Sequence, residues 1–185
     1  RMQHTYLNSF LIRKRMNKAK AMWKLIRPLQ WTKNLFVLFP LLFSGLITNT
    51  ALLGLTLLTI LAFILLSSSC YILNDLFDRE KDRQNKEKRN RPLASGAIKP
   101  WEGIAFMFTM LVGGLAIGFT INTIIGLILI GYFFATLVYS SHAKHIPYVE
   151  LIFVAINYPL RTLAGVIAID IPANNWMLLG AFLLA

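Results

Sequence analysis

Apolar runs of near-membrane length, separated by short polar connections, decide what this chain can fold into. A helix needs about 20 apolar residues to cross a bilayer core, and inside lipid every backbone N–H and C=O must be satisfied within helices or a closed barrel. The runs cover residues 35–47, 51–73, 101–120, 123–139 and 148–169, and a sixth opens at Trp176. The first is short and holds Pro40 and Gly45, and the fifth carries Pro159 and Arg161. Only 15% of the residues are charged, against about 25% in soluble domains. That shortage excludes an ordinary cytosolic globular domain and a disordered tail. The single Cys70 excludes a disulfide scaffold and reads as a small packing residue, and His4, His142 and His145 make no metal-ligand pattern. The expected fold is all-α: a polytopic transmembrane helical bundle of five helices plus a truncated sixth over 34–185, preceded by a basic cytoplasmic or interfacial segment over 1–33. The chain opens on Arg1 and stops at Ala185 inside an apolar run, so the C-terminal helices of the bundle are expected to be missing.

The net charge of +11 would suggest a nucleic-acid partner in a soluble protein, but here the positions of the charges carry the information. Lys and Arg cluster over 13–33 and 79–99, with Lys144 in the connection after the fourth run. The connections at 48–50, 121–122 and 170–175 carry none. Basic and non-basic connections therefore alternate. The positive-inside rule places the N-terminus and the 74–100 and 140–147 loops in the cytoplasm, and the alternation requires the first run to be a full crossing. Residues 10–27 mix apolar side chains with Lys and Arg. They suit either a basic interfacial helix on anionic headgroups or a plain topology anchor. Trp31, Trp101 and Trp176 fall near the interfaces and read as belt aromatics.

The second run ends in Asn74-Asp75-Leu76-Phe77-Asp78-Arg79-Glu80-Lys81-Asp82. If its helix continues, Asp75, Asp78 and Asp82 fall within about 60° of one another, with Asn74 about 40° further round. Like charges so close repel, and a cation would remove the penalty. Mg²⁺ takes one or two carboxylates together with waters and substrate phosphate oxygens, so the face suits a diphosphate. The alternative is a solvated helix end with Asp78 and Asp82 paired to Arg79, Lys81 or Arg83. Glu80 points off the face and fits that second role. Lys86, Lys88, Arg89 and Arg91 follow, then Pro92-Leu93-Ala94-Ser95-Gly96. Arginines are suited to bidentate phosphate contacts. Ser95 and Gly96 either turn backbone N–H groups toward an anion or simply turn the chain into the next helix.

These residues resemble the UbiA superfamily of intramembrane prenyltransferases. Its N-D-x-x-D-x-x-x-D motif is matched by Asn74, Asp75, Asp78 and Asp82. Within it, the decaprenyl-phosphate phosphoribosyltransferase branch is the nearer likeness. That branch's R-P-x-Q-W-x-K-N reads here as Arg27-Pro28-Leu29-Gln30-Trp31-Thr32-Lys33-Asn34. Its K-R-x-R-P-I-A-S-G reads as Lys88-Arg89-Asn90-Arg91-Pro92-Leu93-Ala94-Ser95-Gly96. Its second region, Y-S-x-x-L-K, an acid and R-x-x-A-G, is matched in type and order by Tyr139, Ser140, Lys144, Glu150, Arg161, Ala164 and Gly165. Ala143 stands where Leu is usual, Glu150 where Asp is usual, and Asn85-Lys86 where a His-Pro pair is common.

The resemblance implies an integral, multi-pass protein of a bacterial or archaeal cell membrane that is a Mg²⁺-dependent transferase. Its implied partners are a polyprenyl lipid and either a phosphorylated sugar diphosphate or a prenyl diphosphate. In the phosphoribosyl branch, 5-phosphoribose moves from its diphosphate to a polyprenyl phosphate. Asp75, Asp78 and Asp82 are the implied magnesium ligands and catalytic carboxylates, and Lys144 on the 140–147 loop is the implied catalytic cation that neutralises phosphate charge. Substrate contacts are expected from Lys33, Asn34, Asn74, Lys88, Arg89, Arg91, Ser95, Tyr139, Glu150 and Arg161. Arg161, about 12 residues into the fifth run, is costly at that depth. It either snorkels or pairs structurally, or it contacts a phosphate or carboxylate in a cavity. Pro159 beside it suggests a broken helix lining that cavity.

Two rival functions fit parts of the pattern. An aromatic prenyltransferase of the same superfamily suits the acidic motif equally well, although the two basic motifs favour a sugar phosphate. A non-enzymatic transporter of a lipid-linked anion suits the intramembrane arginine, but transporter sites lie near the midplane and this charged cluster lies at one end. The D-G-x-x-A-R pattern of cytidine-diphospho-alcohol phosphotransferases is absent.

Overall fold

A computed structural model of the chain describes residues 17–141, 149–173 and 175–183, with the side chains of 149–154 outside that description. Among the described residues there are helices and no strands. They are α1 (Lys18–Leu25), a 3₁₀ segment (Pro28–Leu38), α2 (Phe39–Phe43), α3 (Thr50–Phe77), α4 (Arg79–Gln84), α5 (Pro100–Ile121), α6 (Thr123–Ser141), α7 (Val149–Ala168) and α8 (Asn175–Leu183). Three of these helices, α3, α5 and α6, are long and apolar enough to cross a membrane. Each coincides with an apolar run read from the sequence. α7 and α8 begin where the fifth and sixth runs begin.

α3 is the hub of the bundle. It packs on α5, α6, α7 and the 3₁₀ segment. Its start is capped by Asn49, whose side-chain oxygen accepts from the backbone N–H groups of Ala51 (3.1 Å) and Leu52 (3.3 Å). Phe63, Leu66 and Cys70 on α3 meet Leu129 and Tyr132 of α6, Ala164 of α7 and Val37 of the 3₁₀ segment in one buried core. Without a hydrophobic drive between helices in lipid, close backbone approach and polar ties hold such a core. Both occur here. A Cβ at Gly114 on α5 would sit 2.9 Å from the Ala62 carbonyl oxygen of α3. The run Ser67-Ser68-Ser69 is buried on α3, and Ser68 donates across to the Ile26 carbonyl (3.3 Å). Leu57, Leu58 and Leu61 of α3, Phe108 and Val112 of α5, and Phe134 and Val138 of α6 are exposed. A band of large apolar side chains facing outward on membrane-length helices is a lipid-facing surface.

Two sequence expectations are corrected. The first run, 35–47, is not one crossing α-helix. It is the end of the 3₁₀ segment followed by the five-residue α2, which stops before Gly45 at φ +72°. Pro28 and Pro40 withhold backbone donors, and the segment wedges against α7. The approach is tight enough that a Cβ at Gly165 would collide with the Val37 carbonyl. Gly165 is thus the glycine of the R-x-x-A-G motif because backbone passes over it. The second correction is at Pro159, where α7 stays one helix rather than breaking.

Candidate active site

A second, smaller core closes the end of the bundle where α3 stops. Ala21 and Leu25 of α1, Ile72 and Leu73 of α3, Leu93 and Ile98 of the following loop, and Met107 of α5 are all buried there. This core places the loop's charged residues. Leu93 is fully buried and fills the space left by Gly103 of α5. Ser95 N–H returns to the Arg91 carbonyl (2.8 Å) and Ile98 N–H to the Pro92 carbonyl (3.1 Å). Gly96 takes the positive φ of the turn, +77°. Ser95 Oγ donates to the Pro92 carbonyl (3.2 Å), so its hydroxyl serves the turn. Arg91 therefore emerges from an anchored turn rather than a loose loop.

Arg91 links two of the predicted carboxylates. Its Nη1 lies 2.8 Å from Asp82 Oδ2 and 3.2 Å from Asp75 Oδ1. Asp75 also accepts from Arg27 Nη2, which comes from the other side. Both carboxylates are buried, at 3% and 4% exposure, so their charges are neutralised by guanidinium groups rather than by water. Arg27 holds a left-handed backbone conformation, φ 50° and ψ 65°, directly before Pro28. Such a conformation is disfavoured for a side-chain-bearing residue, and the ion pair with Asp75 and a cation–π contact over Tyr71 (5.1 Å) hold it. The aspartate face is interrupted but not dispersed. α3 ends at Phe77 and α4 begins at Arg79, yet Asp78 N–H bonds to Asn74 O (2.9 Å) and Asp82 N–H to Asp78 O (2.8 Å). Asp78 sits half-buried at the junction. The alternative pairing of Asp82 with Arg79, Lys81 or Arg83 is not what forms. Glu80 instead pairs with Arg83 (3.1 Å) and Arg79 (3.7 Å), as expected for a solvated position.

Asn74 leaves the acidic face. It accepts a hydrogen bond from Ser140 Oγ at the end of α6 and lines a separate cavity of about 150 Å³. Lys33, Tyr71, Tyr132, Tyr139, Asn157 and Arg161 also line it. Arg161 is buried, at 3% exposure. Its Nε donates to Asn34 Oδ1 (2.9 Å), its Nη1 to the Asn157 carbonyl (2.6 Å) and its Nη2 to Tyr132 Oη (3.1 Å). The rings of Tyr132 (5.2 Å), Phe63 (5.8 Å) and Tyr158 (6.0 Å) surround the guanidinium. Among the described residues no carboxylate pairs with it or with Lys33. Burial, and the Arg161 charge beyond it, lower the Lys33 ammonium from its ordinary value. Lys33 precedes the first apolar run.

The predicted site residues thus divide. Asp75, Asp82 and Arg91 form one cluster; Lys33, Asn74, Tyr139 and Arg161 share the cavity, with Asn34 behind Arg161. Lys88 and Arg89 are exposed, and Arg89 borders a surface pocket with Arg83 and Ser95. Lys144 and the Glu150 side chain lie outside the described residues. Among the described residues, no three His, Cys, Asp or Glu side chains gather as a metal cage. Sequence reasoning passed over Arg27, Tyr132 and Asn157. Arg27 stands in a motif and before a proline, so a signal existed. Tyr132 sits amid apolar residues with nothing to mark it. Trp31 is no simple belt residue: its Nε1–H reaches Ser68 Oγ (3.2 Å) and its ring meets Trp23 edge-on at 5.6 Å.

Comparison with known proteins bears on this geometry. The model of the UbiA prenyltransferase family matches residues 37–185. The chain is 31% identical to decaprenyl-phosphate phosphoribosyltransferase of Mycolicibacterium smegmatis, over 88% of this chain and 52% of that protein. It is 33% identical to the protein of that name from Corynebacterium glutamicum, over 89% and 51%. The chain spans about half the length of these curated relatives. Among solved structures it is similar to a UbiA homolog from Archaeoglobus fulgidus bound to DMAPP and Mg²⁺. There the TM-score is 0.74 at 26% identity, covering 89% of this chain and 59% of that one.

Proposed function

We propose, from the premise that the chain belongs to the UbiA prenyltransferase family, that it forms part of the site of a Mg²⁺-dependent membrane transferase that moves 5-phosphoribose from phosphoribosyl diphosphate to a polyprenyl phosphate. The observation that carries this reading is the bridge from Arg91 to Asp75 and Asp82. It sets two carboxylates around one cationic group at the end of a membrane bundle. The donor set fits a magnesium ion, which takes one or two carboxylates and completes its shell with water and phosphate oxygens. Asp75 and Asp82, with Asp78 beside them, would hold it, and it would supply charge stabilisation to the departing diphosphate. The 26%-identical UbiA homolog is bound to DMAPP and Mg²⁺, which supports the same use here.

The chain's own residues have distinct tasks in such a transfer. A lipid phosphate oxygen forms a bond to C1 of the sugar while the C1–O bond to diphosphate breaks, and the electron pair leaves with diphosphate. Arg27 and Arg91, half-buried and held by Asp75, supply fixed positive charge where negative charge develops. Two features favour phosphoribose over a prenyl group as the transferred unit. The likeness to phosphoribosyltransferases extends over 88% of the chain, and two further basic residues, Lys88 and Arg89, are exposed at the mouth where a further phosphate would need them.

The test uses the complete protein in liposomes with Mg²⁺, labelled phosphoribosyl diphosphate and a polyprenyl phosphate. Label entering the lipid fraction, and lost with EDTA, is the expected result. Prenylation of an aromatic acid from a polyprenyl diphosphate, with no phosphoribosyl transfer, would overturn the reading in favour of the aromatic branch.

A further inference from the structure

We infer that the outward face of α1, together with the exposed stripe of the 3₁₀ segment after it, docks on anionic phospholipid headgroups. Lys20 and Lys24 are its cations, and Trp23 and Leu29 are the apolar groups that enter the interface. The inference goes beyond the transferase reading and does not rest on it. α1 has two opposed faces. Ala21 and Leu25, one turn apart, are buried in one core with Ile72 and Leu73 of α3. Trp23 lies about 180° round the helix from the middle of that pair. It is 58% exposed. Lys20 and Lys24 are exposed too, within about 100° of Trp23 on the outer side.

The position of α1 along the bundle is that of a headgroup layer. α3 starts at the polar connection 48–50, and Ile72 lies roughly 33 Å along its axis from Thr50. That is just past a hydrocarbon core of about 30 Å, and inside a bilayer of about 40–45 Å with its headgroups. α5 gives the same level: Lys18 of α1 pairs with Glu102 (2.6 Å) in the first turn of α5, next to the exposed Trp101. From there the exposed surface runs down to the hydrocarbon. Leu29, Thr32 and Leu35 are spaced by three residues, so they share one side of the 3₁₀ segment, and all three are exposed, Leu29 at 88%. Leu35 opens the first apolar run, so the lower end of this stripe belongs to the lipid-facing surface. Trp23 meets Trp31 of the same segment edge-on (5.6 Å). The Trp31 Nε1–H is in turn held by Ser68 Oγ (3.2 Å) and the Ile26 carbonyl (3.3 Å), which fixes α1 and the stripe to one another.

The charge of this surface selects the headgroup. No Asp or Glu precedes Asp75 in the sequence, while Lys and Arg crowd residues 13–33. Arg27 is answered by Asp75 and Lys18 by Glu102. Lys24 Nζ reaches the Asn90 carbonyl (3.4 Å), a neutral acceptor that leaves its charge unmatched. Lys20 and Lys24, one turn apart, thus carry positive charge on long stems beside an exposed indole. Lysine heads reach toward phosphates while their stems stay on apolar surface, and an indole settles at the boundary between the two. A zwitterionic headgroup offers both signs of charge and little net attraction. An anionic leaflet attracts each basic residue near it with about a fivefold preference. A soluble acidic partner could match the lysines, but it could not follow the stripe down to Leu35, where the surroundings are hydrocarbon.

The test reads lipid contact at Trp23 directly. The complete protein is placed in phosphatidylcholine nanodiscs that carry a minor share of acyl-brominated phosphatidylglycerol or, separately, the same share of acyl-brominated phosphatidylcholine. Bromine quenches nearby indoles, and the difference between wild type and Trp23→Phe isolates the Trp23 emission. At low salt, brominated phosphatidylglycerol should quench Trp23 about fivefold more efficiently than brominated phosphatidylcholine, and the preference should fall at high salt. Lys20→Gln combined with Lys24→Gln should bring the two lipids close to parity. Lys20→Arg combined with Lys24→Arg should keep the preference, because the charge is what acts. Both lysines are exposed, so neither pair of substitutions disturbs the core. Equal quenching by the two lipids in wild type, or an unchanged preference in the glutamine pair, overturns the inference. Quenching by neither lipid also overturns it, and assigns this face to a second copy of the chain or to another protein.

Discussion

The mouth of the bundle holds half-buried arginines and the cage a fully buried one, Arg161, and the two surround them in opposite ways. At the mouth, Arg27 and Arg91 meet the carboxylates of Asp75 and Asp82, so the protein supplies both signs of charge. In the cage, Arg161 meets, among the described residues, an amide, a carbonyl, a phenol and ring faces. A closed charge pair can rearrange around an incoming metal and its phosphates. The difference separates a charge-compensated cluster from a guanidinium whose described hydrogen-bond partners are neutral, although the two are joined through Asn74 and Asp75, consecutive residues of one helix.

Substitutions sharpen this contrast. The largest effect is expected at the mouth. Asp82→Asn and Asp75→Asn keep shape and remove charge, and each should lower kcat by about 10²-fold or more in the liposome assay. Asp75→Ala should in addition destabilise the fold by about 1–3 kcal/mol, since it leaves the half-buried Arg27 without its carboxylate while Arg91 keeps Asp82, as read from thermal unfolding in detergent. Equal turnover in wild type and both Asn variants would erase the distinction between mouth and cage.

Next in size is the close approach of α7 to the 3₁₀ segment. Gly165→Ala should cost about 1–3 kcal/mol of stability, because the new methyl meets the Val37 carbonyl. Gly54→Ala on the same protein meets nothing within 4 Å and should cost nothing. A smaller effect is expected from Tyr132→Phe, which removes the acceptor for Arg161 Nη2. It should cost about 0.5–1.5 kcal/mol of stability, read from thermal unfolding in detergent. Smallest of all is Lys18→Ala. Lys18 pairs with Glu102 at 2.6 Å on an exposed surface, away from both regions, and its loss should leave turnover unchanged.

Much of this was legible in the sequence, for a physical reason. Lipid tolerates so few backbone arrangements that apolar length alone marks α3, α5 and α6 to within a few residues. The one element misjudged in kind, residues 35–47, is the one whose form depends on proline and on a neighbour's glycine rather than on hydropathy. At the site, period placed Asp75 and Asp82 on one face, and the structure joins them through Arg91. The period also grouped Asn74 with them, but its side chain is claimed by Ser140, a partner 66 residues away. Partners of that kind are set by tertiary packing. Tyr132 was invisible for the same reason, since its role appears only when α6 and α7 meet.

The most direct measurement is on the metal itself. Mn²⁺ bound to the complete protein in the presence of phosphoribosyl diphosphate is observed by pulsed electron paramagnetic resonance, in wild type and in Asp75→Asn and Asp82→Asn. The account predicts phosphorus couplings from the diphosphate in wild type and loss of the bound Mn²⁺ signal in both variants. Mn²⁺ held equally well without those carboxylates would contradict it.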